Sequence, residues 1–448
     1  MIPFPIGETS PVEHPGPLPE AADVVVVGAG VAGVCSALFL ARQGLRVVLV
    51  EKGRLAGEQS SRNWGWIRQQ GRDPDELPIM VEARRLWQEL AQQSGEDFGL
   101  VEGGVTYLAE SAKDMADFEA WLPHARANDV DSHLMSPEEV RRMIPEMAKG
   151  YHGALRTPSD MRAEPWLAVP ALARLAAREG VTVVETCAAR ALEISAGRVA
   201  GVVTEQGTVR ADQVLVTGGA WSSLFLRAHG VALPQLSVRA TAAATERLPQ
   251  VHEGGAAEDG VAFRRRQDGG YTLAAGGYHD LFIGPDAFRN LIRYLPVLGE
   301  HPFKTRYHVA APKGYPDAWG TPRRWAADEV SPFERIRVLN PAPSRALARK
   351  FTARFAALFP EFGEIRLRAL WAGMIDMMPD VVPVLGPAEA VPGLWIGTGL
   401  SGHGFGIGPG VGRVLADMIA GNAAGHEVAR FRLSRFTDGT RIRPGPAL

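Results

Sequence analysis

The stretch Ala21–Gly53, AADVVVVGAGVAGVCSALFLARQGLRVVLVEKG, decides the fold. Val24–Val27 is a short β-branched run, as expected of a parallel strand buried on both faces. Gly28, Gly30 and Gly33 follow with G-x-G-x-x-G spacing. In that pattern the first glycine makes the tight turn, and the second lets the backbone approach a pyrophosphate. The third brings the next helix close to the sheet. Ala32 lies in the same turn, whose free N–H groups face an anion. Gly44 stops the helix, Leu45–Val50 forms a second strand, and Glu51 stands at its end with Lys52 beside it. An acid there accepts hydrogen bonds from ribose hydroxyls and repels a 2′-phosphate, so NAD or FAD fits and NADP does not.

The rest of the composition narrows the classes. A net charge of −2 over 448 residues gives no reason to expect nucleic acid. The two cysteines, Cys35 and Cys187, lack the spacing of a disulfide framework or of metal ligands, and no metal is expected. No apolar run reaches the length of a membrane span, which leaves peripheral membrane contact open. The proline-rich start, MIPFPIGETSPVEHPGPLPE, lacks the pattern of a secretory signal. It reads as an extended arm lying on the surface or on a partner subunit, and a cytoplasmic location is the default. The oligomeric state is not legible.

Texture divides the chain. Residues 1–20 are the arm. Residues 21–93, 151–235 and 366–448 read as a discontinuous nucleotide-binding domain, and 94–150 and 236–365 as a substrate domain. The amphipathic helix Trp166–Gly180 and the run Val214–Trp221 belong to the first. Ser136-Pro137-Glu138-Glu139 marks a helix start in the second. A second dinucleotide fingerprint is absent, so electrons are expected from an organic substrate rather than from a nicotinamide.

Five motifs occur in order: GAGVAG with Glu51, SSRNWGWIRQQ (60–70), ADQVLVTGGAWS (211–222), WAGMIDMMPDVVPVLGP (371–387) and GLSGHGFGIGPGVGRVLADMIAG (399–421). Together they resemble the FAD-dependent amino acid and amine oxidoreductases, which include D-amino acid dehydrogenase, glycine oxidase and sarcosine oxidase. The resemblance covers Asp23 to about Ala420. It implies an α/β Rossmann-type FAD-binding domain with a second α+β substrate domain on a mainly antiparallel sheet. It also implies that Ser60, Ser61, Arg62, Asn63, Gly65 and Trp66 approach the flavin, that Gly218 and Gly219 close over the cofactor, and that Ala189 lies against adenine. Gly373 falls in the fourth motif. In the fifth, Gly402, Gly404, Phe405, Gly406 and Ile407 are expected to contact the cofactor. A helix over Val411–Ala420 would point its N-terminus at the flavin, where its positive end favours the reduced, anionic ring. His403, the only titratable side chain of that loop, is placed beside the substrate. Two departures follow. Gly406 stands where sarcosine oxidases carry a lysine, which argues against a sarcosine-like substrate. No cysteine lies at Gly373–Met374, so FAD is expected to bind non-covalently.

The expected reaction is oxidation of an amine C–N bond in a D-amino acid, a secondary amine or an N-substituted amino acid. Hydride passes to flavin N5, and the imine hydrolyses. A substrate carboxylate needs a planar cationic partner. Arg264 and Arg266 share one face of a predicted strand and are the first candidates, with Arg68 as another. Tyr271, Tyr278 and His279 could line the pocket, and Asp376 could bind an amino group or pack at a domain junction. The alternative function is a non-catalytic or partner-dependent flavoprotein subunit of an electron-transfer complex.

Overall fold

The computed structural model describes residues 4–300 and 305–443. Val24–Val27 is the centre of a six-stranded sheet. Its strand order is 384–387, 394–398, 213–216, 24–27, 47–50, 182–184. All pairings are parallel except that of 384–387 with 394–398. The valine run is buried on both faces, as its composition requires. Val24 and Val26 pack with the helices Val31–Arg42, Pro165–Arg178 and Gly404–Ile419. Val25 packs on the other side with Leu192, Val202 and Val209 of an antiparallel meander, 189–195, 198–204 and 207–210.

The second sheet has ten strands and is antiparallel except at two pairings, 105–109 with 255–257 and 279–282 with 305–308. Its spine is the long pair Leu236–Arg247 and Leu367–Met377. Two strands that the sequence division put with the nucleotide-binding part belong here. Gly153–Thr157 pairs with Val105–Ala109, and Leu367–Met377 pairs with Leu236–Arg247. Texture could not show this, because both strands return from one sheet to the other within a few residues. Met161–Arg162 pairs with Trp66–Ile67 on one side and Val101–Glu102 on the other, forming a separate three-stranded sheet. The helix start at Ser136 forms with a capping box to Glu139.

The arm lies on the chain's own body. Phe4 stacks on Trp166 with ring centroids 4.4 Å apart, and the Ile6 N–H donates to Ser61 Oγ at 3.2 Å. Further along, the Glu13 and His14 N–H groups donate to Glu185 Oε2.

Candidate active site

A cleft follows the ends of the central strands. Gly28, Gly30, Ala32, Glu51, Lys52, Ser60, Asn63, Ala189, Gly218, Gly219, Gly402, Gly404 and Phe405 all line it. Gly28 has φ +106°, a left-handed conformation that a side chain would strain, and a Cβ there would meet the Thr217 carbonyl at 2.8 Å. Ser60 Oγ accepts from the Val31 N–H at 2.9 Å and fixes the turn. The Glu51 carboxylate accepts from the Ala29 and Gly53 N–H groups, and burial, the dominant influence, raises its pKa. The ammonium of Lys52 is held by Glu58 and by the Ile336 and Arg337 carbonyls.

Other expected cofactor contacts lie elsewhere. Gly33 is a packing glycine, since a Cβ would meet the Gly28 carbonyl at 2.0 Å. Ser61 is buried and accepts from the arm. Arg62 reaches the edge of the neighbouring cavity, but its guanidinium is consumed by the Gly57, Ala372 and Ile6 carbonyls and by Asn340 Oδ1. Gly65 packs on the Ala163 carbonyl and the Arg264 side chain. Trp66 lines the neighbouring cavity rather than the cleft. Gly373 makes room for Gln59, whose Oε1 would lie 2.0 Å from a Cβ at that position.

The glycine-rich loop is also shorter than expected. The C-terminal helix begins at Gly404, not Val411, and so contains Gly406 and Ile407. Ile407 is a core residue, and Gly406 packs on the Trp66–Arg68 backbone. The later glycines serve helix packing: a Cβ at Gly408 would be 2.6 Å from Val31, and one at Gly412 would be 2.5 Å from Cys35. The helix N-terminus still meets the cleft, through Gly404 and Phe405. Asp376 holds the loop before it, accepting from the Gly399 N–H at 2.7 Å, the Leu400 N–H and the Thr398 hydroxyl.

Beside the cleft is a cavity of about 870 Å³. Gln59, Asn63, Gly402 and Phe405 line both spaces and form their common wall. Besides Arg62 at its edge, two arginines line the cavity. Arg68 lies over the Tyr107 ring at 5.4 Å and donates to the Gln70 carbonyl. Arg72, which sequence reasoning missed, donates to the Arg68 and His403 carbonyls at 3.0 Å each and to Glu76 Oε2 at 3.4 Å. Burial lowers its pKa to about 10, so it stays cationic at neutral pH. Burial opposes the charge of Glu76, but the guanidinium of Arg72 beside it favours that charge, and the carboxyl lies below its ordinary range. His403 lines the cavity with Nδ1 turned inward, 3.7 Å from Glu76 Oε2. Burial, aided by Arg72 and Arg68, lowers its pKa to about 4, and the ring is neutral. Tyr278 and His279 line the same cavity beside an apolar wall of Leu236, Val238, Leu281 and Ile375. The spacing of Arg68 and Arg72, four residues apart just after a cofactor motif, was the available signal for the second arginine.

Arg264 and Arg266 do not reach the cavity. Arg264 is clamped by Glu164 at 2.9 Å through both nitrogens and also donates to the Trp64 carbonyl. Arg266 donates to the Tyr271 and Thr245 carbonyls and to Asp268. The strand ends at Arg265, so Arg266 lies just past it rather than sharing its face. Arg264 is buried beside Glu164 and Trp166 at the start of the helix Pro165–Arg178, where a cation requires a carboxylate. Tyr271 is likewise core, with its hydroxyl bonded to the Pro249 carbonyl.

Residues 23–418 match the model of the family described as FAD dependent oxidoreductase, and the chain belongs to that family. It is 29% identical to human mitochondrial sarcosine dehydrogenase over 58% of this chain and 29% of that one. It spans 43% of the mouse protein of the same name, less than half of its length. It is 26% identical to sarcosine oxidase subunit beta of an Arthrobacter species over 96% of both chains. Among solved structures, L-amino acid deaminase from Proteus myxofaciens in complex with anthranilate superimposes with a TM-score of 0.91 at 27% identity. That match covers 95% of this chain and 96% of the other.

The cleft fits the family's cofactor. Its first-turn N–H groups at Gly30 and Ala32 have no intrahelical acceptor, as at any helix start, and suit a pyrophosphate. Glu51 suits a ribose. Gln59 Oε1, at the wall between the two spaces, is buried with no hydrogen-bond partner among the described residues, an acceptor suited to a ring N–H.

Proposed function

We propose that this chain oxidises the C–N bond of an amino acid or N-substituted amino acid to an imine, which water then hydrolyses. The six-stranded sheet carries FAD without a covalent link, and the large sheet carries the substrate. One observation supports this most: a cavity walled by two arginines meets the cofactor cleft at Gln59, Asn63, Gly402 and Phe405. FAD, when bound, supplies the two-electron acceptor.

The residues of the chain supply orientation and dryness. Arg68 and Arg72 hold the carboxylate, and a guanidinium fixed by Glu76 and by backbone carbonyls loses little freedom on binding it. That anchor sets which atom lies nearest the cofactor wall. The apolar wall takes the side chain and excludes water. His403 is neutral and adds no positive charge against a substrate amine. The likeness to an L-amino acid deaminase and to a sarcosine oxidase subunit supports a substrate with a free carboxylate, and D-amino acids belong in the same trial. Both cysteines are buried and unpaired, which supports a reducing compartment such as the cytoplasm.

The test is anaerobic mixing of the FAD-loaded protein with D- and L-amino acids, N-methyl amino acids and simple amines. Loss of the visible flavin absorbance with a carboxylate-bearing amine is expected. An absorbance unchanged by every compound would overturn the proposal.

A further inference from the structure

The helix Pro285–Glu300 carries an apolar stripe that nothing among the described residues covers. Phe288, Leu291, Ile292 and Leu295 are 63%, 50%, 82% and 56% exposed. Their spacing, i, i+3, i+4 and i+7, puts them on one arc of about 100°. On one side of that arc the helix turns into the protein, through Asn290 and Tyr294, which are buried. On the other side come Arg289 and Arg293. Exposed Tyr307, Val309 and Trp319 extend the apolar surface, and the Trp319 ring lies 5.9 Å from that of Phe288. Isolated exposed apolar residues are ordinary, but a contiguous patch of this kind marks an interaction surface.

Charge points to the partner. Residues 285–324 contain seven arginines and lysines against three acids, in a chain whose net charge is −2. Two of those acids are already engaged, Asp286 by Arg227 and Arg289, and Asp317 by Arg323. Among the described residues Arg293 donates to the Phe436 carbonyl, while Lys313 and Arg324 are exposed. An apolar arc flanked by arginines long enough to reach past it is the pattern of a helix lying in the plane of a lipid interface. No helix among the described residues is long and apolar enough to cross a membrane, so the contact is with the surface.

We propose that the Pro285–Glu300 helix, with Tyr307, Val309 and Trp319, docks the enzyme on an anionic phospholipid bilayer. Phe288, Leu291 and Tyr307 also line the large cavity, so docking brings the cavity mouth to the lipid surface. The inference rests on the exposed surface and its charge, and it stands or falls separately from the amine chemistry.

The test is co-sedimentation of the FAD-loaded protein with phosphatidylcholine vesicles and with vesicles containing phosphatidylglycerol. Binding to the anionic vesicles is expected to be at least about tenfold tighter and to weaken with added salt. Ile292→Glu/Leu295→Glu changes two exposed side chains outside the cavity. It should lower anionic-vesicle binding about tenfold or more while leaving the circular dichroism and turnover in solution unchanged. Brominated lipid should quench a fluorescence component that Trp319→Phe removes. Three results would overturn the proposal: no sedimentation with either vesicle, equal binding to both, or equal binding by wild type and the double variant. A dimer that the double variant dissociates, without vesicle binding, would also overturn it and assign the patch to self-association.

Discussion

Replacing Arg264 with methionine removes one half of an ion pair whose side chains are 1% and 2% exposed. Both terminal guanidinium nitrogens lie 2.9 Å from Glu164, so the variant strips that buried carboxylate of its hydrogen-bonded cation and leaves it the more distant Arg162, 4.0 Å away. Breaking such a pair from one side costs about 3–5 kcal/mol, because the remaining charge is desolvated and uncompensated. Arg264→Met should therefore lower the unfolding free energy by about that amount, read from the denaturant midpoint of the FAD-loaded protein. Arg264→Met/Glu164→Leu should recover much of the loss, since a well-packed apolar pair often replaces a buried ion pair at little cost. The Gln267 N–H that donates to Glu164 would still lose its acceptor, and Arg162 would lose the carboxylate 4.0 Å from it, so recovery should stop at least about 1 kcal/mol short. At a temperature where the single variant is folded, its KM should match wild type. A loss below about 1 kcal/mol together with a KM raised tenfold would refute the assignment and restore Arg264 as a substrate anchor.

Other consequences follow from the same geometry. Arg72→Met should lower kcat/KM for a carboxylate-bearing amine by about thirtyfold or more and change little for the matching decarboxylated amine. Glu76→Gln loosens Arg72 without removing it, so steady-state kinetics should show a rise in KM larger than the fall in kcat. Since the folded pKa of His403 is about 4, below its ordinary 6.5, the unfolded chain binds the extra proton first as pH falls. The stability contributed by neutral His403 is therefore complete above pH 6.5 and declines towards pH 4, and His403→Asn should flatten that part of a stability–pH curve. Gly412→Ala would place a Cβ 2.5 Å from Cys35 Cβ, and thermal unfolding should report a destabilisation of about 1–3 kcal/mol.

The nucleotide-binding strand, turn, helix and acid were legible in the sequence because each is a local requirement. A buried parallel strand needs β-branched residues, and its turn needs glycine at Gly28 and Gly33. The assignments that failed depend on what a residue faces across the fold. Alternation puts Arg264 and Arg266 on one strand face, yet the strand ends at Arg265, and only the arrival of Glu164 at the start of a distant helix decides that Arg264 is interior. Gly406 and Gly408 look like part of a loop in one dimension. In three they let the helix from Gly404 press against Val31–Arg42 and the Trp66–Arg68 backbone. Arg72 and Glu76 sit in a polar run without a motif, and the cavity that gives them meaning is closed by strands from a segment far along the chain.

The most direct test of the central claim is anaerobic reduction of the bound flavin by matched pairs, each an amino acid and its own decarboxylation product, in wild type and in Arg72→Met. The account predicts rapid bleaching by one or more amino acids in wild type, slow bleaching by the matching amine, and loss of that preference in the variant. Equal rates for the pair in wild type, or a preference that survives in Arg72→Met, would contradict it.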